Sequence, residues 1–248
     1  MQVEQKFFIG MQDAGAGYAA SNKCLLEMLS NVATLHAMRV GQSAMQVESS
    51  SMVWMVINWK LEVMKRPHAC ETITARTWAV KFNKLHAQRD FEFLAKSGEI
   101  IAKASSLWVA VDAGHESFVK LNDENMGVYQ CEPEKEAFPG EGYTRVREKD
   151  FEVENETMVD IIRSMIDCNN HVHNTAYLDL ANEILPDGLE ESCFDHVEIN
   201  YRKEVHLHDK VCVEYAKEKA PAHADAARRC VFVRSADKSV LHATVLLG

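Results

Sequence analysis

Residues 159–188, VDIIRSMIDCNNHVHNTAYLDLANEILPDG, contain the pattern that decides the fold. They begin with an apolar segment, Val159 to Ile166, which leads into a polar loop, Asp167 to His173. Apolar residues then recur at helical spacing until Pro186-Asp187-Gly188, a sequence that ends helices. The predicted helix face consists of Tyr177, Leu180, Ala181 and Ile184. The strand-like segments that follow are Cys193 to Lys203, Lys210 to Ala216, Ala227 to Val233 and Ser239 to Leu247. The predicted order is a strand, a helix and an antiparallel meander.

The first half of the chain repeats this order. A short apolar segment, Lys6 to Met11, precedes a glycine-containing loop, Asp13 to Gly17. A helical stripe comes next, with Ser21 or Asn22 as its cap and Gly41 at its end. The apolar face of this helix comprises Leu25, Leu26, Met28, Leu29, Val32, Ala33, Leu35 and His36. The β-rich segments that follow are Met52 to Met64, Glu71 to Phe82, His86 to Lys96 and Glu99 to Val111.

The duplication predicts an α+β fold of two hot-dog domains, each an antiparallel sheet wrapped around a central helix. Residues 113–145 include charged and Pro-Gly sequences typical of a solvated linker. We therefore predict an N-terminal domain over residues 1–140 and a C-terminal domain over residues 141–248. One large sheet with helices on one side is the alternative, and the repeated order of elements disfavours it.

The composition excludes several classes of protein. Of the 248 residues, 47% are hydrophobic and 26% are charged, which suits a globular protein with one large core or two small ones. The longest apolar run, Met52 to Ile57, is far shorter than the roughly 20 residues of a membrane-spanning helix. Seven cysteines without a CxxC pair indicate reduced thiols rather than a disulfide framework or a zinc site. The amino terminus has no basic region followed by a long apolar stretch, so we expect a cytoplasmic protein without a targeting peptide.

The charge is acidic and uneven along the chain. The net charge is −10, which argues against a nucleic-acid partner. Residues 1–145 carry 15 basic and 17 acidic side chains, and residues 146–248 carry 12 and 20. An acidic partner would therefore dock on the first half. The candidate docking residues are Arg76, Lys81, Lys84 and Arg89, although ordinary solvated positions are an equally good interpretation of these four.

The polar loop holds the residues that point to chemistry. Asp167, Asn169 and His171 occupy alternate positions, so in an extended loop their side chains would leave the same side of the backbone. They precede the predicted helix, whose free N–H groups favour negative charge. A carboxylate, an amide and an imidazole in this arrangement suit hydrolytic attack on a carbonyl: an activated water attacks, and the amide holds the oxyanion.

The segment Asp167 to Tyr177 resembles the D-x-N-x-H-V-N-N-x-x-Y stretch of acyl-acyl carrier protein thioesterases, the enzymes that release fatty acids from carrier-bound thioesters. The resemblance extends over nearly the whole chain. Further segments similar to the family are Leu35-His36, Gly41, Trp54, Pro67, Thr77-Trp78, Gly98-Glu99-Ile100, Ser106-Leu107-Trp108-Val109 and Tyr201-Arg202-Lys203-Glu204. The sequence departs from the family at His173, which replaces the first Asn of the Asn-Asn pair, and at Val205, where plant members carry Cys.

The resemblance implies a catalytic group, a substrate and a division of labour. The implied catalytic residues are Asp167, Asn169, His171 and Glu204. The implied substrate is a fatty acyl chain on acyl carrier protein, with chemistry in the second domain and acyl recognition mainly in the first. The implied acyl-pocket residues are Leu29, Val32, His36 and Trp54. Because Val205 supplies no thiol, we expect direct attack by water, with either Glu204 or His171 as the general base.

The sequence leaves several alternatives open. Asp167 taken alone would be explained as a turn cap, but Asn169 and His171 beside it disfavour that interpretation. Alternation along the predicted strand places Glu204 on the polar face unless a bulge re-aims it. The pairs His171/His173 and His206/His208 could suggest a metal, but we expect neither a functional metal nor a cofactor. An acyl-CoA thioesterase and a non-catalytic acyl-binding protein are the alternative functions. The chain length of the substrate stays open, and so does the choice between monomer and homodimer.

Overall fold

The computed structural model describes residues 1–43, 52–112, 117–219 and 227–248. The strands are β1 (Gln2–Phe8), β2 (Met52–Val63), β3 (Thr72–Phe82), β4 (Ala87–Leu94), β5 (Ile100–Asp112), β6 (Ser117–Phe118), β7 (Phe151–Asp160), β8 (His196–Tyr201), β9 (Lys210–Glu218), β10 (Arg229–Ser235) and β11 (Leu241–Leu247). The α-helices are α1 (Asn22–Arg39), α2 (Asp123–Met126) and α3 (Ala176–Asn182). None of the helices in these ranges combines the length and the apolar character that crossing a bilayer requires.

The chain folds into two compact units. The first unit comprises Met1–Ala20 and Cys24–Gly142, and the second comprises Ser21–Lys23 and Tyr143–Gly248.

The first unit is an antiparallel sheet in the order β1-β3-β4-β5-β2, with β6 on β5. The long helix α1 buries Leu25, Leu26 and Leu29 completely. Strands β4 and β5 are joined by a tight turn in which Gly98 adopts a φ of 88°, a left-handed conformation that glycine tolerates best. The predicted helix and the four predicted strands of this half are confirmed, with ends within a few residues of the predicted ones.

The second unit repeats the plan with a shorter helix. Its sheet runs β8-β11-β10-β9-β7, all antiparallel. The four strands predicted after the helix are confirmed, although β8 ends at Tyr201 rather than at Lys203. Helix α3 has only seven residues, of which five are buried. This early end of β8 matters for the candidate site, because Glu204 lies beyond the strand.

The first strand of each unit is misplaced in the sequence prediction. The structure has β1 at Gln2–Phe8 and β7 at Phe151–Asp160, whereas the apolar segments pointed to residues 6–11 and 159–166. Both strands lie at the outer end of their unit's sheet, and most of β7 is exposed. An outer strand has fewer buried positions, so its sequence contains charged residues that weaken the pattern.

The expected solvated linker is also wrong for most of its length. In residues 117–142 the structure places α2 and four buried apolar side chains: Leu121, Met126, Tyr129 and Phe138. These residues complete the core of the first unit, where Met126 and Tyr129 pack with Ala79. The charged residues between them dominate the composition of the segment and hide this role.

Candidate active site

The polar loop that was expected to be extended is a tight turn. The backbone N–H of Asp167 donates to the carbonyl oxygen of His171 at 2.9 Å, and the N–H of Asn170 donates to the carbonyl of Asp167 at 3.1 Å. Asn170 adopts a φ of 65°, a conformation that Asn tolerates better than most residues. The alternation argument is therefore wrong, because residues within a turn do not project to one side.

Asp167 holds this turn together. One of its carboxylate oxygens, Oδ1, accepts hydrogen bonds from the backbone N–H of Asn169 at 2.8 Å and of His171 at 3.2 Å. This is the side-chain-to-backbone pattern by which Asp stabilises turns. The observed contacts of Asp167 therefore set the position of its neighbours along the backbone.

His171 and Glu204 meet because two chain segments run side by side. His171 pairs with His206 in an isolated antiparallel bridge, and the N–H of Val172 donates to the carbonyl of Val205 at 2.9 Å. Glu204 is two residues before His206, so its side chain lies on the same face as that of His171. The imidazole Nε2 of His171 is 3.3 Å from Oε2 of Glu204. Since β8 ends at Tyr201, neither a bulge nor the polar face of the strand is needed to explain this position.

The His171–Glu204 pair is open to water. The side chains are 32% and 40% exposed, so a water molecule can reach both groups. An ion pair this exposed contributes at most about 1 kcal/mol to folding. Stability therefore gives little reason for the pairing, and the geometry suits activation of a water molecule.

Two tyrosines, Tyr177 and Tyr201, lie next to the loop. The hydroxyl of Tyr201 donates to the carbonyl oxygen of Asn174 at 2.6 Å, which ties the end of β8 to the loop. The rings of Tyr177 and Tyr201 lie 5.2 Å apart, edge to face. Burial raises the pKa of both hydroxyls, and the nearby charge of Glu204 raises the pKa of Tyr177 further. Both tyrosines therefore stay protonated, so Tyr201 remains a hydrogen-bond donor.

Two protein-family models match the chain. Residues 1–129 match the model of the acyl-ACP thioesterase N-terminal domain, and residues 148–238 match that of the C-terminal domain. The chain belongs to the acyl-ACP thioesterase family.

Curated relatives and solved structures agree with this assignment. The chain is 23% identical over 224 residues to oleoyl-acyl carrier protein thioesterase 2 of Arabidopsis thaliana, covering 84% of this chain and 61% of the relative. It is 24% identical to the FATB2 acyl-[acyl-carrier-protein] hydrolase of Cuphea viscosissima, covering 81% of this chain and 51% of the relative. The chain thus spans between half and two thirds of the length of these plant proteins.

The solved structures establish the fold. A putative oleoyl thioesterase from Lactobacillus plantarum superposes with a TM-score of 0.83 at 19% identity, covering 100% of this chain and 95% of the other. The 12:0-ACP thioesterase from Umbellularia californica gives a TM-score of 0.81 at 16% identity, covering 99% and 92%. The predicted α+β double hot-dog fold is confirmed.

Asn169, the expected oxyanion donor, lies at the exposed tip of the turn. Among the described residues, none forms a hydrogen bond with its side-chain amide, so that amide is available to a substrate. The first two N–H groups at the start of α3 are already engaged. The N–H of Ala176 donates to the carbonyl of His173 at 2.9 Å, and the N–H of Thr175 donates to the Nδ1 atom of His173.

The two positions near the catalytic-type residues that raised questions have structural explanations. His173, the departure from the family's Asn-Asn pair, is hydrogen-bonded through Nδ1 to Oγ1 of Thr175 at 2.8 Å and so stabilises the turn into α3. Cys168 is exposed, because it occupies a turn position.

One further residue joins the site. The ring of His206 lies 5.0 Å from that of His171, and the ligand-type atoms of His171, Glu204 and His206 all lie within 4.8 Å of one another. Two imidazoles and a carboxylate are ligands that zinc accepts. In the sequence, His206 was grouped with His208, because the two residues are only two positions apart. The bridge that brings His206 to His171 joins segments far apart in the chain, and no local sequence pattern indicates it.

The residues implied for acyl binding are all in the first unit. Leu29, Val32 and His36 on α1 are fully buried, and Trp54 on β2 is half-buried. One proposed docking residue is wrongly placed by the sequence: Arg89 is buried, 9% exposed, and is not available to a partner's surface.

The remaining docking candidates differ from Arg89. Arg76 is ion-paired with Glu4 at 2.6 Å, and Lys81 is paired with Glu136 at 2.7 Å. Lys84 is exposed. Three of the four candidates therefore lie at the surface, and ion pairs within the protein already neutralise the charges of two of them.

Proposed function

We propose that this protein hydrolyses fatty acyl thioesters of acyl carrier protein, giving a free fatty acid and the carrier with a free thiol. The observation that carries the proposal is the solvent-accessible His171–Glu204 pair, with 3.3 Å between Nε2 and Oε2. Membership of the acyl-ACP thioesterase family supports it. Relatives named as oleoyl-acyl carrier protein thioesterases support the substrate class.

The reaction begins with a water molecule beside the pair. Glu204 or His171 takes a proton from this water, and the water oxygen attacks the thioester carbonyl carbon. The bond between carbon and sulfur then breaks, and the thiol of the carrier's pantetheine leaves with a proton. No protein thiol is required, because water itself supplies the nucleophile.

Asn169 and Asp167 have different roles in this proposal. The unpartnered amide of Asn169 donates to the oxyanion that forms on the carbonyl oxygen. Asp167 is a positioning residue, since its carboxylate binds the backbone N–H groups of Asn169 and His171. The two residues together place an oxyanion donor and a base on one short turn.

In this proposal the two halves of the chain have different functions. Residues 1–140 recognise the acyl chain through Leu29, Val32, His36 and Trp54, and residues 141–248 perform the hydrolysis. The seven free cysteines suit a reducing compartment, so we propose a cytoplasmic location. Metal is not part of the proposed reaction, although His171, Glu204 and His206 could bind one.

The test is release of free thiol from a panel of acyl-carrier-protein thioesters that differ in chain length. We expect turnover by the unaltered protein and a loss of at least about 10²-fold in His171→Ala. The matched control is His86→Ala, which alters a histidine in the loop between β3 and β4 of the other unit. Absence of turnover on every thioester would contradict the proposal.

Two extensions of the same assay separate the other candidate functions. Equal or higher kcat/KM with acyl-CoA than with acyl-carrier protein would favour an acyl-CoA thioesterase. Tight binding of acyl thioesters without thiol release would favour a non-catalytic acyl-binding protein. Full turnover after treatment with EDTA is expected, and a loss that added zinc restores would assign a metal to the His171 cluster.

A further inference from the structure

The interior of the first unit contains a buried cation that no acidic side chain of the described residues neutralises. Arg89, on β4, is 9% exposed, and its Nη1 contacts the Nδ1 atom of His36 at 2.9 Å and Oγ1 of Thr77 at 3.2 Å. Of the described residues, none places a carboxylate oxygen within salt-bridge distance of this guanidinium. Burial lowers the pKa of Arg89 to about 10, which leaves it charged at neutral pH. A buried charge is normally paired, so this one indicates a missing partner.

The neighbouring acid does not supply that partner. Asp90 follows Arg89 in the same strand and therefore faces the other side of the sheet. Its carboxylate accepts hydrogen bonds from Oγ of Ser105 at 2.6 Å and from the N–H of Ala137 at 2.6 Å. Asp90 is thus already engaged away from Arg89.

Arg89 also fixes the protonation of His36. A guanidinium can only donate, so Nδ1 of His36 must accept, and the proton of the neutral imidazole lies on Nε2. Burial and the charge of Arg89 lower the pKa of His36 to about 3, so the ring is neutral near pH 7. The Nε2–H group is buried and has no hydrogen-bond partner among the described residues. His36 therefore presents an unused donor.

A second buried N–H donor lies against the ring of Tyr129. Tyr129 packs edge-on with His36, at 5.2 Å between ring centroids, and with Trp54, at 6.4 Å. The indole N–H of Trp54 is buried, and its contact with the Tyr129 hydroxyl lowers the pKa of that hydroxyl, although burial raises this pKa more. The guanidinium carbon of Arg89 lies 5.5 Å from the centre of the Tyr129 ring. A cation without a carboxylate partner among the described residues and the N–H groups of His36 and Trp54 thus lie around one tyrosine.

Apolar side chains surround this cluster. Partly buried hydrophobic residues pack against the core that contains Tyr129, and these are Val40, Met52, Trp54, Phe82, Val119 and Cys131. An aliphatic chain is compatible with such apolar surroundings. A negatively charged hydrogen-bond acceptor at the end of that chain is complementary to Arg89 and to the N–H groups of His36 and Trp54.

We propose that Arg89, His36 and Trp54 form a subsite in the first unit for a carboxylate carried on an aliphatic chain. A carboxylate would pair with the guanidinium and accept hydrogen bonds from the N–H groups of His36 and Trp54, which a hydrocarbon end cannot do. Two ligands share this chemistry: an acyl thioester whose far end is a carboxylate, and a free fatty acid. The first of these rests on the proposed hydrolase function, and the second does not.

The hydrolysis arm compares acyl-carrier-protein thioesters of equal chain length that end in a methyl group or in a carboxylate. We expect the unaltered protein to prefer the carboxylate-ended chain at one or more lengths between eight and twelve carbons. Arg89→Met should lower the ratio of kcat/KM between the two chains by about tenfold or more, because a hydrogen-bonded charge pair is lost. Arg89→Lys should restore part of the ratio, and Trp54→Phe, the mildest change, should lower it in the same direction.

Asp90→Asn is the matched control, since it alters the adjacent buried ionisable residue on the opposite face and should leave the ratio unchanged. An equal ratio in the unaltered protein, Arg89→Met and Trp54→Phe would overturn the proposal. So would discrimination by the unaltered protein against carboxylate-ended chains at every length. If Arg89→Met does not fold, the ratio in Trp54→Phe decides the outcome.

The binding arm needs no catalysis and uses decanoic acid and decanol as probes in calorimetry. Tighter binding of the acid than of the alcohol, with the difference lost in Trp54→Phe and Arg89→Met, would support a fatty-acid subsite. Equal binding of acid and alcohol, together with an unchanged hydrolysis ratio, would refute the subsite. Failure of all thioester hydrolysis with acid-selective binding intact would overturn the proposed function and leave the subsite standing.

Discussion

His36 in the first unit and His171 in the second both lie in polar clusters, but they differ in burial and in the charge of the group that they contact. His36 in the first unit is fully buried and contacts the cation of Arg89. His171 in the second unit is about one third exposed and contacts the carboxylate of Glu204. The cationic neighbour and burial both oppose a positive imidazole at His36, and they lower its pKa to about 3.

The comparison shows how one residue type acquires two functions in a duplicated fold. His36 stays neutral near neutral pH, so it acts as a hydrogen-bond donor through Nε2. His171 can meet both water and an anionic partner, so it suits a role in moving protons. Substitutions in both clusters test this difference, and the largest effect is expected at Glu204.

Glu204→Gln should remove most of the turnover. The amide keeps the shape of the side chain but can neither accept a proton from water nor stabilise a charged imidazole, so we expect kcat to fall at least about 10²-fold. Thiol release under saturating substrate measures this effect. The unfolding midpoint should hardly move, because the exposed pair adds little to stability.

The matched control for Glu204→Gln is Glu152→Gln, an exposed carboxylate on β7. It should retain full turnover. Near-normal kcat in Glu204→Gln would show that the His171–Glu204 contact has no part in the reaction.

His36→Gln should flatten the dependence of stability on pH. In the unaltered protein the pKa of His36 lies at about 3, below the ordinary value of 6.5, so the unfolded chain binds a proton that the folded protein does not. Stability from this group is complete above pH 6.5 and is lost as the pH falls towards 3. Over that window it contributes a slope of about 1.4 kcal/mol per pH unit, which the variant lacks.

Urea unfolding at several pH values between 4 and 7 measures that slope in both proteins. Gln keeps an oxygen that can accept from Arg89, so the variant should fold. Identical slopes in the two proteins would mean that His36 titrates normally and that the contrast with His171 is wrong.

Asp167→Ala should lower kcat by about tenfold or more, because the turn that positions Asn169 and His171 loses two hydrogen bonds. Asp167→Asn should restore most of the activity, since an amide oxygen can accept the same bonds. KM should change less than kcat in both variants. If Asn fails to rescue Ala, the negative charge rather than the turn is what matters.

Cys168→Ser should have the smallest effect. Cys168 is exposed and lies in the turn between Asp167 and Asn169. Among the contacts of the described residues, none joins its thiol to the His171–Glu204 pair. We expect kcat within about twofold of the unaltered protein in the thiol-release assay. An inactive variant would favour a thiol nucleophile instead of water.

Buried strands were predictable because both their composition and their alternation follow from burial. The strands that form the centre of each sheet, such as β4 and β10, lie where the sequence placed them. The outer strands β1 and β7 do not, since their exposed positions carry charges. The same effect hid Tyr129, which belongs to the core although it lies in a charged segment.

The candidate site shows the same limit at the level of side chains. The sequence singled out Asp167, Asn169 and His171 by spacing and Glu204 by resemblance. Spacing gave the wrong local conformation, because a turn and an extended loop can share one pattern of polar residues. His206 escaped notice as a neighbour of His171, since their contact depends on a bridge between segments 35 residues apart.

The sequence by itself determined the duplicated order of strands and helix, the acidic charge and the small set of polar residues that chemistry could use. These features depend on local periodicity and composition, which are readable along the chain. Only the tertiary structure decided which polar groups meet, which are exposed and which stay buried without a partner. Hydrogen bonds and charge pairs act across a few ångströms of space, and the chain distances between Arg89 and His36, or between Glu204 and His171, do not encode that proximity.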